Sequence, residues 1–77
     1  MITEAKIQRT RQIVADILGI EPDNLTAESG MDVTEGWDSM RNLTILMEVE
    51  QQFGLQFTPE ELSETHTVAA IAARLPE

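Results

Sequence analysis

The residues of this sequence that could do chemistry gather at one place. Ser39 follows Asp38 and opens a run that contains no Gly or Pro until Gly54. A serine so placed can be a nucleophile, a helix cap, or the attachment point of a phosphate-linked group. The first use needs a base within reach. The chain has one histidine, His66, which lies in a junction ahead of the last predicted helix and reads as a solvated linker residue. There is no cysteine. That excludes thiolate nucleophiles, disulfide frameworks and thiolate zinc sites, and it fits a reducing compartment. The acidic residues are scattered as on a solvated surface, with no metal-ligand spacing, no calcium loop and no glycine-rich phosphate loop. No catalytic residue and no metal site are therefore assigned, and the chain is expected not to be an enzyme. The capping use stays open on local sequence, because serine at a helix start is commonly only a cap.

The attachment use draws support from the residues on either side of the serine. A helix N-terminus stabilises a phosphate ester through its free N–H groups and the positive end of its dipole. Asp38 can cap that first turn and complement the dipole. On a 3.6-residue period the apolar residues after Ser39 fall into two stripes. Ile45, Leu46, Val49 and Phe53 form a core stripe, while Met40, Leu43 and Met47 form a second one directly below the serine. One stripe is enough to fill a core, so the second is expected to be a contact surface. Its methionines are flexible and polarizable, which suits changing partners. Trp37 is read either as a loop anchor or as part of this surface.

The serine has to be positioned by the elements around it. Thr3 to Leu18 reads as a first helix, with Ile7, Thr10, Ile13, Val14, Ile17 and Leu18 on one broad face. Its three basic residues, Lys6, Arg9 and Arg11, read as a solvated face. Gly19 suits a C-cap and Pro22 lies just beyond. A long polar connection over 19–37 comes next, with Leu25 and Met31 as apolar anchors and Gly36 expected to allow a tight backbone approach before the second helix. The second helix covers about 38–53. Thr58, Pro59 and Glu61 make a strong start for a short third helix over 59–64, and 67–75 is the fourth. No alternating pattern persists long enough for a sheet. The fold expected is all-α, a small four-helix bundle of three main helices plus a short third one.

At 77 residues the chain reads as a single domain covering 1–77. No signal peptide is visible, and no apolar run approaches the roughly 20 residues that span a bilayer. A cytoplasmic, monomeric protein without membrane insertion is expected. The net charge of −9 repels nucleic acid and favours partners with basic docking surfaces.

The stretch Gly36-Trp37-Asp38-Ser39-Met40 resembles the attachment motif of the acyl carrier proteins in the phosphopantetheine-binding family, in which Asp-Ser-Leu comes after a Gly and a variable residue. The likeness runs from about Ala5 to Leu75. It includes Leu18-Gly19-Ile20, the spacing of Leu43, Leu46, Glu48, Glu50 and Phe53, then Phe57, Pro59 to Glu61, and Thr67-Val68. The resemblance implies that a phosphopantetheinyl transferase joins 4′-phosphopantetheine from coenzyme A to Ser39, with Asp38 supporting. The terminal thiol of that arm then tethers acyl intermediates as thioesters. It also implies a partner surface at the start of the second helix: Trp37, Met40, Arg41, Leu43, Met47 and Glu48.

Some positions depart from the family pattern. Met40 stands in place of the usual Leu, Glu35 in place of an apolar residue, and Arg41 puts a positive charge on a helix that is typically acidic there. A partner tuned to a generic fatty-acid carrier would meet that charge unfavourably. The departures lean toward a specialised lipid or secondary-metabolite pathway. An aminoacyl or peptidyl carrier loaded by an adenylating enzyme is the alternative, as is an unmodified acidic interaction module.

Overall fold

The computed structural model describes residues 3–76, so the ends of the expected 1–77 unit lie outside the described residues. It contains four helices: α1 (Glu4–Leu18), α2 (Ser39–Phe53), α3 (Pro59–Glu64) and α4 (Val68–Ala72). A single 3-10 turn, Pro22–Asn24, interrupts the long connection. No strand occurs among the described residues; the one sheet-like contact is an isolated bridge between Gly30 and Thr67. The all-α expectation holds.

The helices begin and end where local chemistry directs. Thr3, Asp38, Thr58 and Thr67 each accept a hydrogen bond from a backbone N–H three residues on. Each such cap satisfies an otherwise orphaned donor and contributes about 1 kcal/mol. Thr58 and Glu61 complete a reciprocal capping box. Gly19 and Gly54 close α1 and α2 with φ of 73° and 65°. That left-handed conformation is cheap only for a residue without a Cβ. α4 departs from expectation by stopping at Ala72. Beyond it the chain tightens into turn bonds, Arg74 N–H to Ile71 O and Leu75 N–H to Ala72 O. Leu75 still reaches the core.

α1 packs against both α2 and α4. Ile13 and Val14 meet Ile45, Leu46, Val49, Val68 and Ile71 in one continuous core, with Leu25 seated under the connection as expected. Phe53 corrects its assignment to the core stripe. It is only partly buried, because it lies in the last turn of α2 at the end of the bundle, where the Arg9 guanidinium covers its ring at 5.7 Å. The basic residues of α1 are likewise not simply solvated. Arg11 donates to the Pro22 carbonyl at 2.9 and 3.2 Å, fastening the 3-10 turn to α1.

The connection is lashed to the far half of the chain. Met31 donates to the His66 carbonyl, while Val68 and Ala69 donate to the Ser29 and Ala27 carbonyls. These bonds satisfy the first donors of α4 with loop oxygens. Gly30 sits in the seam, where an added Cβ would lie 2.6 Å from the His66 carbonyl oxygen. Only glycine permits so close an approach. His66 itself corrects the solvated-linker reading. It is half-buried, and its Nδ1 is shut away with no hydrogen-bond partner. No helix among the described residues is long and apolar enough to cross a membrane.

Candidate functional site

Ser39 is the first residue of α2 and is exposed. Asp38 precedes it with extended backbone, and its Oδ1 accepts from Arg41 N–H at 2.8 Å. Its carbonyl accepts from Asn42 N–H, also at 2.8 Å. The N–H groups of Ser39 and Met40 are left without an acceptor among the described residues, as the first donors of a helix are unless something caps them. The Ser39 hydroxyl makes no hydrogen bond there either. It is not the cap of its own helix, since Asp38 does that work. A nucleophilic oxygen thus stands free at the positive end of a helix dipole, beside donors that can face a phosphate.

Of the residues expected to form a partner surface, all but one are exposed or half-buried. Met40, Leu43 and Met47 are 78%, 46% and 58% exposed, so the second stripe of α2 is unpartnered. Arg41 is exposed, and its Nη1 reaches back to the Gly36 carbonyl at 3.3 Å. Glu48 is half-buried and accepts from Gln52. Trp37 is the correction. It is 2% exposed, so it is a loop anchor and not part of a partner surface. Its indole is large enough to fill the space under the loop, and its N–H finds a partner inside.

That partner is Asn42, which sequence reasoning does not single out. Trp37 Nε1–H donates to Asn42 Oδ1 at 2.9 Å, and Asn42 Nδ2–H donates to the Thr65 carbonyl at 3.1 Å. A signal for it is nonetheless present. Asn42 falls three, four and seven residues ahead of Ile45, Leu46 and Val49, a polar residue on a core stripe that must be satisfied when buried. Val33, 75% exposed on the connection, is a further apolar surface residue, and it has no such signal.

A cleft of about 310 Å³ opens beside the serine between α2 and α3. Met31, Leu43, Pro59 and Leu62 give it apolar walls, and Ser39, Asn42 and Ser63 contribute polar groups.

Residues 8–75 match the family described as phosphopantetheine attachment site. The chain belongs to that family. It is also 30% identical over 66 residues to an acyl carrier protein of Akkermansia muciniphila, a match covering 86% of this chain and 82% of that one. Members of the family bear covalent 4′-phosphopantetheine and are carriers acted on by enzymes, not enzymes themselves. The residues present in this carrier fit that group: an unbonded, exposed hydroxyl, unpaired N–H groups next to it, and an adjoining cleft with apolar walls.

Proposed function

We propose that Ser39 is the attachment residue and that the chain carries acyl groups in a dedicated lipid or secondary-metabolite pathway. The observation that carries the first part is the free Ser39 hydroxyl on a helix start already capped by Asp38. Capping by the neighbour leaves the serine no structural duty. Its oxygen is available to attack the pyrophosphate of coenzyme A in a phosphopantetheinyl transferase, and the unpaired N–H groups of Ser39 and Met40 favour the phosphodiester that results. When bound, the group supplies a terminal thiol on a flexible arm that holds an acyl group as a thioester. The protein contributes effective concentration and recognition. Met40, Leu43 and Met47, with Arg41 and Glu48 at their edges, serve as the surface that transferases and acyl-handling enzymes grip.

The pathway reading is supported by Arg41. It is an exposed cation near the serine in a chain of net charge −9, and a partner with a uniformly basic surface would meet it unfavourably.

Intact mass after incubation with coenzyme A and a broad-specificity transferase tests the attachment. The wild type should gain one phosphopantetheine. Ser39→Ala should remain folded, because the side chain is exposed and unbonded, and gain none. A modified Ser39→Ala protein overturns the assignment.

A further inference from the structure

Because the Ser39 hydroxyl makes no hydrogen bond among the described residues, its position is inherited from the backbone beneath it. On the exposed side that backbone is held by the Asp38 cap and by the Arg41 contact with the Gly36 carbonyl, both open to water. On the core side the clamp is the hydrogen-bonded relay through Trp37, Asn42 and the Thr65 carbonyl. Trp37 precedes the cap and Asn42 lies one turn into α2, so the bond between them closes around Asp38 and Ser39. The second bond of Asn42 ties this closed turn to the end of α3. Trp37 and Asn42 are 2% and 4% exposed. In so dry a setting a satisfied amide is rigid, and an orphaned one is costly.

Resting on the reading of Ser39 as the attachment residue, we propose that this relay positions the serine for phosphoryl transfer, with Asn42 as the positioning residue. In that transfer the bond from Ser39 Oγ to phosphorus forms as the pyrophosphate P–O bond of coenzyme A breaks. The hydroxyl proton passes to a base of the transferase, and adenosine 3′,5′-bisphosphate departs. Trp37 and Asn42, though Asn42 borders the cleft beside the serine, are too deeply buried to form a docking surface for the transferase. Breaking their bond leaves Met40, Leu43 and Met47 in place for docking while loosening the turn that carries the nucleophile. Binding and turnover therefore separate: KM holds and kcat falls. A displacement near 1 Å is enough to cost up to about 100-fold in rate.

The test is transfer kinetics on the full chain with coenzyme A and a broad-specificity transferase, at a temperature where each variant retains its native far-ultraviolet helical signal, since Trp37 is the only tryptophan and the chain has no tyrosine. Trp37→Phe removes the N–H and keeps most of the ring. Asn42→Asp keeps the acceptor for Trp37 and removes the donor to Thr65. Each should lower kcat about ten-fold or more with KM within about two-fold of wild type. Folded variants that turn over at the wild-type rate, differing only in melting temperature, overturn the positioning role and leave the attachment reading standing. Modification of Ser39→Ala in the same assay would instead remove the attachment reading and this inference with it.

Discussion

Leu46 and Met47 are neighbours on α2 with opposite exposure, and truncating each to alanine tests whether their duties differ as well. Leu46 is fully buried, while Met47 is 58% exposed. Emptying a closed site removes transfer free energy and leaves a cavity, so Leu46→Ala should cost about 2–5 kcal/mol. Met47 has less than half its surface to lose, and full burial of such a side chain is worth ~1.5–3 kcal/mol, so Met47→Ala should cost about 1 kcal/mol or less. A domain of this size has ~4–12 kcal/mol in total, and each kcal/mol moves its melting temperature by about 4–8 °C. Leu46→Ala should melt at least about 8 °C low, or fail to fold at the upper limit. Met47→Ala should stay within about 8 °C of wild type. Thermal unfolding followed by circular dichroism reads both. Transferase kinetics below both transitions should then show the reverse order. Loss of ~1 kcal/mol at a docking surface raises KM about five-fold for Met47→Ala, with little change for folded Leu46→Ala. Equal melting losses, or a KM effect confined to Leu46→Ala, would refute the division of α2 into a core face and a docking face.

Arg41→Glu should speed acyl transfer by a generic fatty-acid-synthesis transferase by no more than about five-fold, since an exposed charge is worth ~1 kcal/mol or less, and the gain should shrink at high salt. Rates unchanged at low and high ionic strength would leave Arg41 a surface residue and remove the support for a dedicated pathway. The carboxyl of Glu61 is held below its ordinary value of 4.5, first by the Thr58 backbone N–H and then by the Arg74 side chain. A depressed acid stabilises the fold above its unfolded value and loses that contribution as pH falls through the folded one. Melting temperature against pH should therefore fall less steeply below about pH 4.5 in Glu61→Gln than in wild type; parallel acid limbs would show that the pair does not couple to folding.

Much of the fold is legible in the sequence because its signals are local. The caps at Asp38, Thr58 and Thr67, the closing glycines at 19 and 54, and the core stripe of α2 are each set within one helix. The misreadings arise where distant segments meet. Apolar spacing carries α4 on to Leu75, yet the chain turns after Ala72 while still burying Leu75. Phe53 has the period of a core residue, but the bundle ends beside it and Arg9 covers the ring. Arg11 reads as solvated because its acceptor, the Pro22 carbonyl, lies eleven residues away on another segment.

The site divides along the same line, and the division has a physical cause. Ser39 can be read from sequence because its freedom comes from Asp38 doing the capping one residue earlier. Trp37 cannot be settled that way, since an aromatic residue beside an exposed serine suits a docking surface as well as a core. The deciding matter is whether the indole N–H has somewhere to go. A buried Trp must find an acceptor. Asn42, five residues on and aligned with Ile45, Leu46 and Val49, is a polar residue on a face that has to be buried. Each residue is awkward inside the core alone, and together they satisfy one another at 2.9 Å. Two polar misfits within a helical turn of an attachment motif are better evidence of a buried pair than either is of a partner surface. The large apolar residues of α2 that then remain outside are Met40, Leu43 and Met47.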